Sequence, residues 1–352
     1  MLKNPRLLLI INIKLKGVIN MNNFKKVGLT ALAGSLVAAS AYAGEVTVAG
    51  SASMKVRHVD GGAANAGKAF SMGNQLTFSG SGELDNGLNV SISFVLDQND
   101  DTYTASAGTG TSAHKGAPFD SHSVSISSDG LGTLAFHGEG GSSAQSAIDG
   151  TAAGDIWDSG FGVTAALDPK TSKATDNMLF YTLPEVMDGV SLKASYTPKG
   201  SSAAASMAYA IQYTGVEGLT LDYATGEDDS TAGSEADVTT MKASYAYGPI
   251  TVAYSQNEYD GAGSGSNTDQ EVTSYKVSYT VSDAISLTYG TEEIARPDNS
   301  SDQDIETNGL TAAYTAGGMT ITGKMEEADN IAGGTASNQD FEYWFLGAAF
   351  AF

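Results

Sequence analysis

Residues 75–97 read QLTFSGSGELDNGLNVSISFVLD. From Leu88 onward the large apolar residues take every second place. Leu88, Val90, Ile92, Phe94 and Leu96 share one parity, and Ser91 and Ser93 take the other. In an extended chain this alternation puts the five apolar side chains on one face. Residues 75–83 form a second extended stretch, and Leu84, Asp85, Asn86 and Gly87 lie between the two. Two such stretches joined by an Asp/Asn-Gly turn predict a β-hairpin. A hairpin cannot stand alone in water, so its apolar face needs company from the rest of the chain.

The rest of the chain repeats it. Extended pairs occur at 123–128 with 133–137, 179–183 with 190–197, 206–214 with 219–223, 238–247 with 250–256, 272–281 with 285–291, and 309–315 with 319–325. With the first pair these make seven hairpins. An opening stretch at 47–59, with Val48, Met54 and Val56 on one parity, and a closing one at 341–352 bring the expected strands to sixteen. Between hairpins lie eight long polar segments, at 60–73, 98–121, 138–176, 199–205, 225–237, 257–271, 292–307 and 326–339. Short and long connections alternate strictly. That asymmetry predicts an all-β, closed antiparallel transmembrane barrel with tight turns at one rim and long loops at the other.

A two-sheet soluble sandwich is the competing arrangement, because it too needs one apolar face per strand. Three features favour the barrel. Tyrosines sit near strand ends on the apolar parity, among them Tyr196, Tyr213, Tyr223, Tyr245, Tyr254, Tyr275, Tyr279 and Tyr289, as an interfacial girdle requires. The opposite parity is Ser, Thr, Ala, Gly and Lys, which suits a wet interior. Closure also removes the exposed edges that sixteen strands in two sheets would have to protect.

Composition bounds the rest. The 352 residues carry a net charge of −22, with 42 Gly, 7 Pro and no Cys. Mean hydropathy of −0.12 argues against a polytopic helical membrane protein. The absence of Cys excludes disulfides and thiolate metal sites. Residues 21–43, MNNFKKVGLTALAGSLVAASAYA, have the three parts of a secretory signal: basic Lys25 and Lys26, an apolar run over 27–39, and an A-x-A cleavage site at Ala41 and Ala43. Residues 1–20 lie upstream and read as an N-terminal extension from a start called too early, leaving a mature barrel of 44–352. Six of the 18 Lys/Arg and none of the 40 Asp/Glu lie in 1–43, so the mature chain has a net charge of −28. Such a chain repels nucleic acid.

The chain ends YWFLGAAFAF. Trp344, Leu346, Phe350 and Phe352 share the apolar parity, and Gly347, Ala349 and Ala351 the other. The closing strand is expected to pair with the opening one near Thr47, bringing the Phe352 carboxylate to the Gly44 amine.

Four stretches together resemble a Gram-negative general porin of the sixteen-stranded trimeric type. They are the opening VTVAGSASMKV after an A-x-A site, the hairpin HSVSISSDGLGTLAFHGEGG, the hairpin LFYTLPEVMDGVSLKASYTP with Tyr181, Pro184, Gly189 and Tyr196, and the terminal phenylalanine. The resemblance covers 44–352, mainly as pattern. It implies an outer-membrane homotrimer in contact with lipid and lipopolysaccharide, whose water-filled channels pass ions and small hydrophilic solutes. It implies that the third long loop, 138–176, folds into the barrel. It implies that Gly347, Phe350 and Phe352 form the signal read by the outer-membrane assembly machinery. Two places depart from the pattern: Phe180 stands where the family often has an inward arginine, and Phe345 where a polar residue is common.

In a channel, the residues that matter are those that set width and charge. The third loop carries Glu139, Asp149, Asp155, Asp158 and Asp168, with Lys170 and Lys173 at its far end. With the apolar parity facing lipid, Lys55, Arg57, Lys193, Lys242, Lys276 and Lys324 all fall on the lumen parity. A basic residue facing mid-membrane lipid costs roughly 2–4 kcal/mol. The expectation is a basic wall opposite an acidic loop, with Lys55, Arg57 and Lys324 brought together by closure and a field across the gap. The acidic loops, such as 97–101 and 227–229, concentrate cations and lean the channel towards cation preference. They are also candidate Ca²⁺ ligands and bridges to lipopolysaccharide phosphates, without EF-hand spacing. His58, His114, His122 and His137 have no nucleophile or orienting partner in any motif, so no enzyme is expected. The alternatives are a substrate-specific channel for a sugar or an anion, and a non-conducting structural or adhesive barrel.

Overall fold

The computed structural model describes residues 46–61, 67–98, 119–158, 167–173, 176–199, 205–228, 236–261, 269–297, 303–331, 333 and 340–352. The signal segment, with Ala41 and Ala43, lies outside them, as do His114 and most of the acidic run at 97–101.

Sixteen strands form among the described residues: β1 (Val46–Asp60), β2 (Gly67–Glu83), β3 (Asn89–Gln98), β4 (Ser121–Ser128), β5 (Gly132–Glu139), β6 (Met178–Thr182), β7 (Val190–Thr197), β8 (Ser206–Tyr213), β9 (Leu219–Glu227), β10 (Asp237–Tyr247), β11 (Ile250–Asp260), β12 (Gln270–Ser282), β13 (Ile285–Ala295), β14 (Ile305–Ala316), β15 (Met319–Asp329) and β16 (Phe341–Ala351). Each pairs antiparallel with its sequence neighbours, and β16 pairs with β1 to close the sheet. The seven expected hairpins are all present.

The strands outrun their sequence signal on the long-loop side. β2 starts at Gly67 rather than 75, and β9, β11, β13 and β15 run on to Glu227, Asp260, Ala295 and Asp329. Alternation is imposed only where one face meets lipid and the other water. Above that band the ladder continues with no apolar period to announce it.

The apolar parity faces outward. Tyr209, Val277, Tyr289 and Leu310 are each about half exposed, which in water would be an aggregation surface and in a bilayer is the required coat. No helix among the described residues is long and apolar enough to cross a membrane; the crossing elements are strands. Beyond the coat, at the long-loop rim, the same outward parity turns acidic. The register sets Glu258 opposite Glu271, Glu293 opposite Glu306, Glu306 opposite Asp329, and Glu327 opposite Glu342.

Two points correct the sequence reading. Phe352 bonds to Gly50, not near Thr47, so β1 overruns the chain end and residues 46–49 pair with β2 alone. The lumen side is also not polar throughout. Val59, Val272, Ile294, Ile305, Ala328, Phe341 and Tyr343 are buried inside the barrel, around Ile156 and Leu167 of the third loop. They occur where the lumen is filled by protein instead of water.

Candidate functional site

The segment between β5 and β6 turns into the barrel, and the wall explains why. One row of directly paired inward residues crosses seven strands: Gln212 on β8, Asp222 on β9, Lys242 on β10, Ser255 on β11, Ser274 on β12, Glu292 on β13 and Thr307 on β14. The outgoing limb of the loop lies along this row. Lys242 Nζ donates to Gly150 O at 2.5 Å, Ala152 N–H donates to Ser255 Oγ at 2.8 Å, and Ala153 N–H donates to Ser274 Oγ at 2.9 Å. Glu292 accepts from the Thr151 hydroxyl and, at 3.0 Å, from Trp157 N–H. An extended chain laid across a sheet meets a new strand about every 4.8 Å, so nearly each loop residue finds its own partner.

The returning limb follows the rows above. Lys170 N–H donates to Gln270 Oε1 at 2.7 Å, and Gln270 Nε2 donates to Leu167 O at 3.1 Å. Gln145 ties both limbs to the wall. Its amide donates to Thr240 Oγ1 at 2.8 Å and to Asn257 Oδ1 at 3.3 Å, while its oxygen accepts from Ser172 N–H at 2.7 Å. Gln145 is fully buried, so losing any partner would leave a desolvated polar group, costing about 1–3 kcal/mol.

Apolar contacts hold both ends. Ala144 and Ile148 pack on Ala208, Ala210, Ala224 and Phe180 near the loop's start. The short 3₁₀ helix Ile156–Asp158 sits in the larger inner cluster with Leu167. Phe180 therefore supplies packing under the loop at the place where the family often puts a charge.

The loop carries its carboxylates into the lumen, but not all those expected. Glu139 is a correction: it belongs to β5, paired with His122 and 3.9 Å from His122 Nδ1, so it is part of the wall. The loop leaves the wall two residues later than the polar run suggested. Asp155 lies within electrostatic reach of both Asp149 and Asp158, and Asp158 within reach of Asp168. Burial pushes Asp149 up to about 6, with Asp155 adding to the rise and Lys242 opposing it. Burial also raises Asp158, with help from Asp155 and then Asp168.

The basic residues do not form one wall opposite the loop. Lys193, Lys242 and Lys276 stand on β7, β10 and β12, three of the strands that the loop covers or adjoins. Lys55, Arg57 and Lys324 stand on β1 and β15, away from the strands to which residues 150–157 hydrogen-bond. Arg57 pairs with Phe345 and Phe345 with Lys324, so closure brings these two bases into one row, while Lys55 pairs with Gly347 in the next inward row. Lys324 Nζ is 3.0 Å from Glu326 Oε1 and 5.8 Å from the Phe345 ring centroid, a cation–π distance. Arg57 hydrogen-bonds the Tyr343 side chain. Phe345, irregular as part of an end signal, is thus an inward contact for Lys324. Two residues on, at the same inward parity, Gly347 faces Lys55, whose Cβ lies 3.1 Å from where a side chain on Gly347 would begin.

Glu292, Glu326, Gln145 and the serines Ser255, Ser274 and Ser195, the last accepting from Ala144 N–H at 2.9 Å, carry no motif that singles them out in the sequence. The two glutamates had a legible signal, since each is a carboxylate on the lumen parity of its strand. The serines had none, because their role depends on what lies over them. Among the described residues no group of three or more acids or histidines is arranged to hold a metal ion.

Comparisons with known proteins agree with this geometry. No curated protein sequence matches the chain. Among solved structures, a mutant of the Rhodopseudomonas blastica porin is 18% identical, with a TM-score of 0.62 over 88% of this chain and 100% of that one. The anion-selective porin from Comamonas acidovorans is 16% identical, with a TM-score of 0.64 over 88% and 99%. At such identities the likeness is one of fold. The model of the Gram-negative porin family matches residues 28–352. With a closed sixteen-stranded barrel, an outward apolar coat and a loop laid across its lumen, this chain belongs to the Gram-negative porin family and is an outer-membrane channel for passive diffusion.

Proposed function

We propose that this pore passes ions and small hydrophilic solutes with a preference for cations. The observation that carries the reading is the acidic turn Asp149, Asp155 and Asp158, laid along the lumen wall with Asp158 exposed, while two of the inward bases already have acceptors. Lys324 is paired with Glu326, and Lys242 is held on Gly150 O. The acidic balance of the mature chain acts in the same direction over about a Debye length, roughly 8 Å in physiological salt. Lys55, Arg57 and Lys193 act against it at close range and keep the preference moderate.

The same reading makes 21–43 a cleaved leader, 1–20 an extension ahead of it, and the assembled protein a homotrimer set among lipopolysaccharide. It makes Gly347, Phe350 and Phe352 the residues that the assembly machinery recognises. Ca²⁺ at the acidic loops is retained as a bridge to lipid phosphates. No catalytic role is proposed, as the family is one of non-enzymatic channels.

Planar-bilayer recording across a tenfold KCl gradient tests the central claim. The expected result is ohmic conductance in steps of three, with a reversal potential of cation-selective sign. An anion-selective sign overturns the preference, block by one sugar or anion supports a substrate-specific channel, and absence of conductance supports a structural barrel.

A further inference from the structure

Serine lines two parts of the lumen wall in two different states. On one side Ser195 of β7, Ser255 of β11 and Ser274 of β12 accept from Ala144, Ala152 and Ala153 N–H at 2.9, 2.8 and 2.9 Å, and all three are buried. Thr240 and Lys242 of β10, Gln270 of β12 and Glu292 of β13 hold the loop on that same side. On the other side the register sets Ser79, Ser93 and Ser123 of β2, β3 and β4 in one inward row, and Ser81, Ser91 and Ser125 in the next. Ser81 is exposed and the other five are half-buried, so this wall meets channel water where the first meets protein.

Charge is confined to the ends of these three strands. On the lumen parity the acids are Glu83, at the short turn, and Asp97, at the long-loop end. Between them the two paired rows are hydroxyls throughout, and Ser91 and Ser125 share a hydrogen bond at 2.6 Å. A serine hydroxyl donates one hydrogen bond, accepts on its lone pairs, and rotates to suit its partner. It can therefore replace water on either side of a solute hydroxyl, and it neither draws nor repels an ion by net charge. Adjacent strands are about 4.8 Å apart. That is close to the separation of alternate equatorial hydroxyls on a sugar ring, so one ring can meet neighbouring serines of a row together.

We propose that these rows form a binding track for neutral polyhydroxylated solutes, sugars and polyols, with Ser93 at its centre between Ser79 and Ser123. The inference rests on the reading of the lumen as an open aqueous channel and adds a solute class to it, independently of the ion preference. Water and serine compete for the same solute hydroxyls, so the exchange is nearly balanced. Binding is then weak and repeated from row to row. Passage demands this, because a solute must be held well enough to enter and loosely enough to leave. A neutral solute of the same bulk with few hydroxyls gains less from the track, since an ether oxygen accepts and cannot donate.

The test is the swelling rate of proteoliposomes in arabinose and in triethylene glycol, two neutral solutes of nearly equal mass, of which the second has fewer hydroxyls. It is run on the native protein, on Ser93→Ala, and on the triple variant that adds Ser79→Ala and Ser123→Ala. Alanine removes the hydroxyls without narrowing the lumen. In the triple variant the ratio of arabinose to glycol rates is expected to fall about five-fold, the equivalent of one net hydrogen bond to the solute. S93A alone is expected to lower it about two-fold, which keeps the test open if the triple variant assembles poorly. Single-channel KCl conductance and reversal potential should stay native in both, because no charge is removed, and this shows the variants to be folded and open. An unchanged ratio, or equal slowing of both solutes, overturns the track. A native protein that admits neither solute overturns the open-channel reading beneath it.

Discussion

Gly50 and Phe352 close the barrel by exchanging both backbone hydrogen bonds. Gly50 N–H donates to Phe352 O at 2.7 Å, and Phe352 N–H donates to Gly50 O at 3.0 Å. The phenylalanine ring then lies over the glycine, so that a Cβ at Gly50 would fall 2.4 Å from its Cε2 and 3.0 Å from Leu76 Cδ2. Gly50→Val should displace the ring and lower the yield of assembled barrel, read as the fraction running as folded species on an unheated gel. Because the clash is with a side chain, Phe352→Ala should remove the penalty of the valine. A penalty that persists in the double variant, beyond the loss due to F352A alone, assigns Gly50 a role other than seating the ring.

Glu292 is the acceptor that the loop turn shares with the wall. Its carboxylate receives Thr151, Trp157 and Thr307, the last at 3.3 Å. Glu292→Ala removes hydrogen bonds to a charged group, and each is worth about 1.5–3 kcal/mol. The turn should come off β13, giving larger open-channel current fluctuations and closure at lower applied voltage. Glu292→Gln keeps an acceptor and should fall between. Native-like noise in E292A counts against an anchoring role.

Ala153 sits over Gly290, where an added Cβ would lie 2.5 Å from the alanine Cβ and 3.1 Å from its Cα. The near atoms belong to the loop spine, so the loop itself must give way. Gly290→Val should therefore shift single-channel conductance while the barrel still assembles. Gly323→Val, on the outward parity with open space around it, should leave conductance unchanged. Equal conductance in the two variants would deny that the loop rests on β13.

Glu306 faces Glu293 on one side and Asp329 on the other. Like charges directly opposite across strands are destabilising by roughly 0.2–1 kcal/mol a pair. Glu306→Gln is expected to stabilise the detergent-solubilised barrel against urea by about 0.5–1 kcal/mol at low salt. The gain should shrink as salt screens the pairs. A gain that is unchanged in 0.5 M salt would point to a cause other than repulsion.

The strand-level reading survived because its physics is local. Lipid outside and water inside force a period of two, and Leu88, Val90, Ile92, Phe94 and Leu96 show it without help from distant residues. The same alternation assigned Lys55, Arg57, Lys193, Lys242, Lys276 and Lys324 to the lumen parity. It failed where the constraint lapses, at the outer ends of β2, β9, β11, β13 and β15, and at Glu139, which looked like loop because nothing apolar surrounds it.

What the amino-acid order determined by itself was therefore the number of strands, the face each residue takes, and the closing of the last strand on the first. Only the tertiary structure decided what the lumen does. Gly150, Ala152 and Ala153 are adjacent in the chain, but Lys242, Ser255, Ser274 and Glu292 come from four different strands. They form one row only because the register of three hairpin turns and loops puts them at one level. A serine on a lumen parity says no more than that it meets water or protein. Which of the two it meets depends on where the third loop lies, and the loop lies where that row gives its backbone partners.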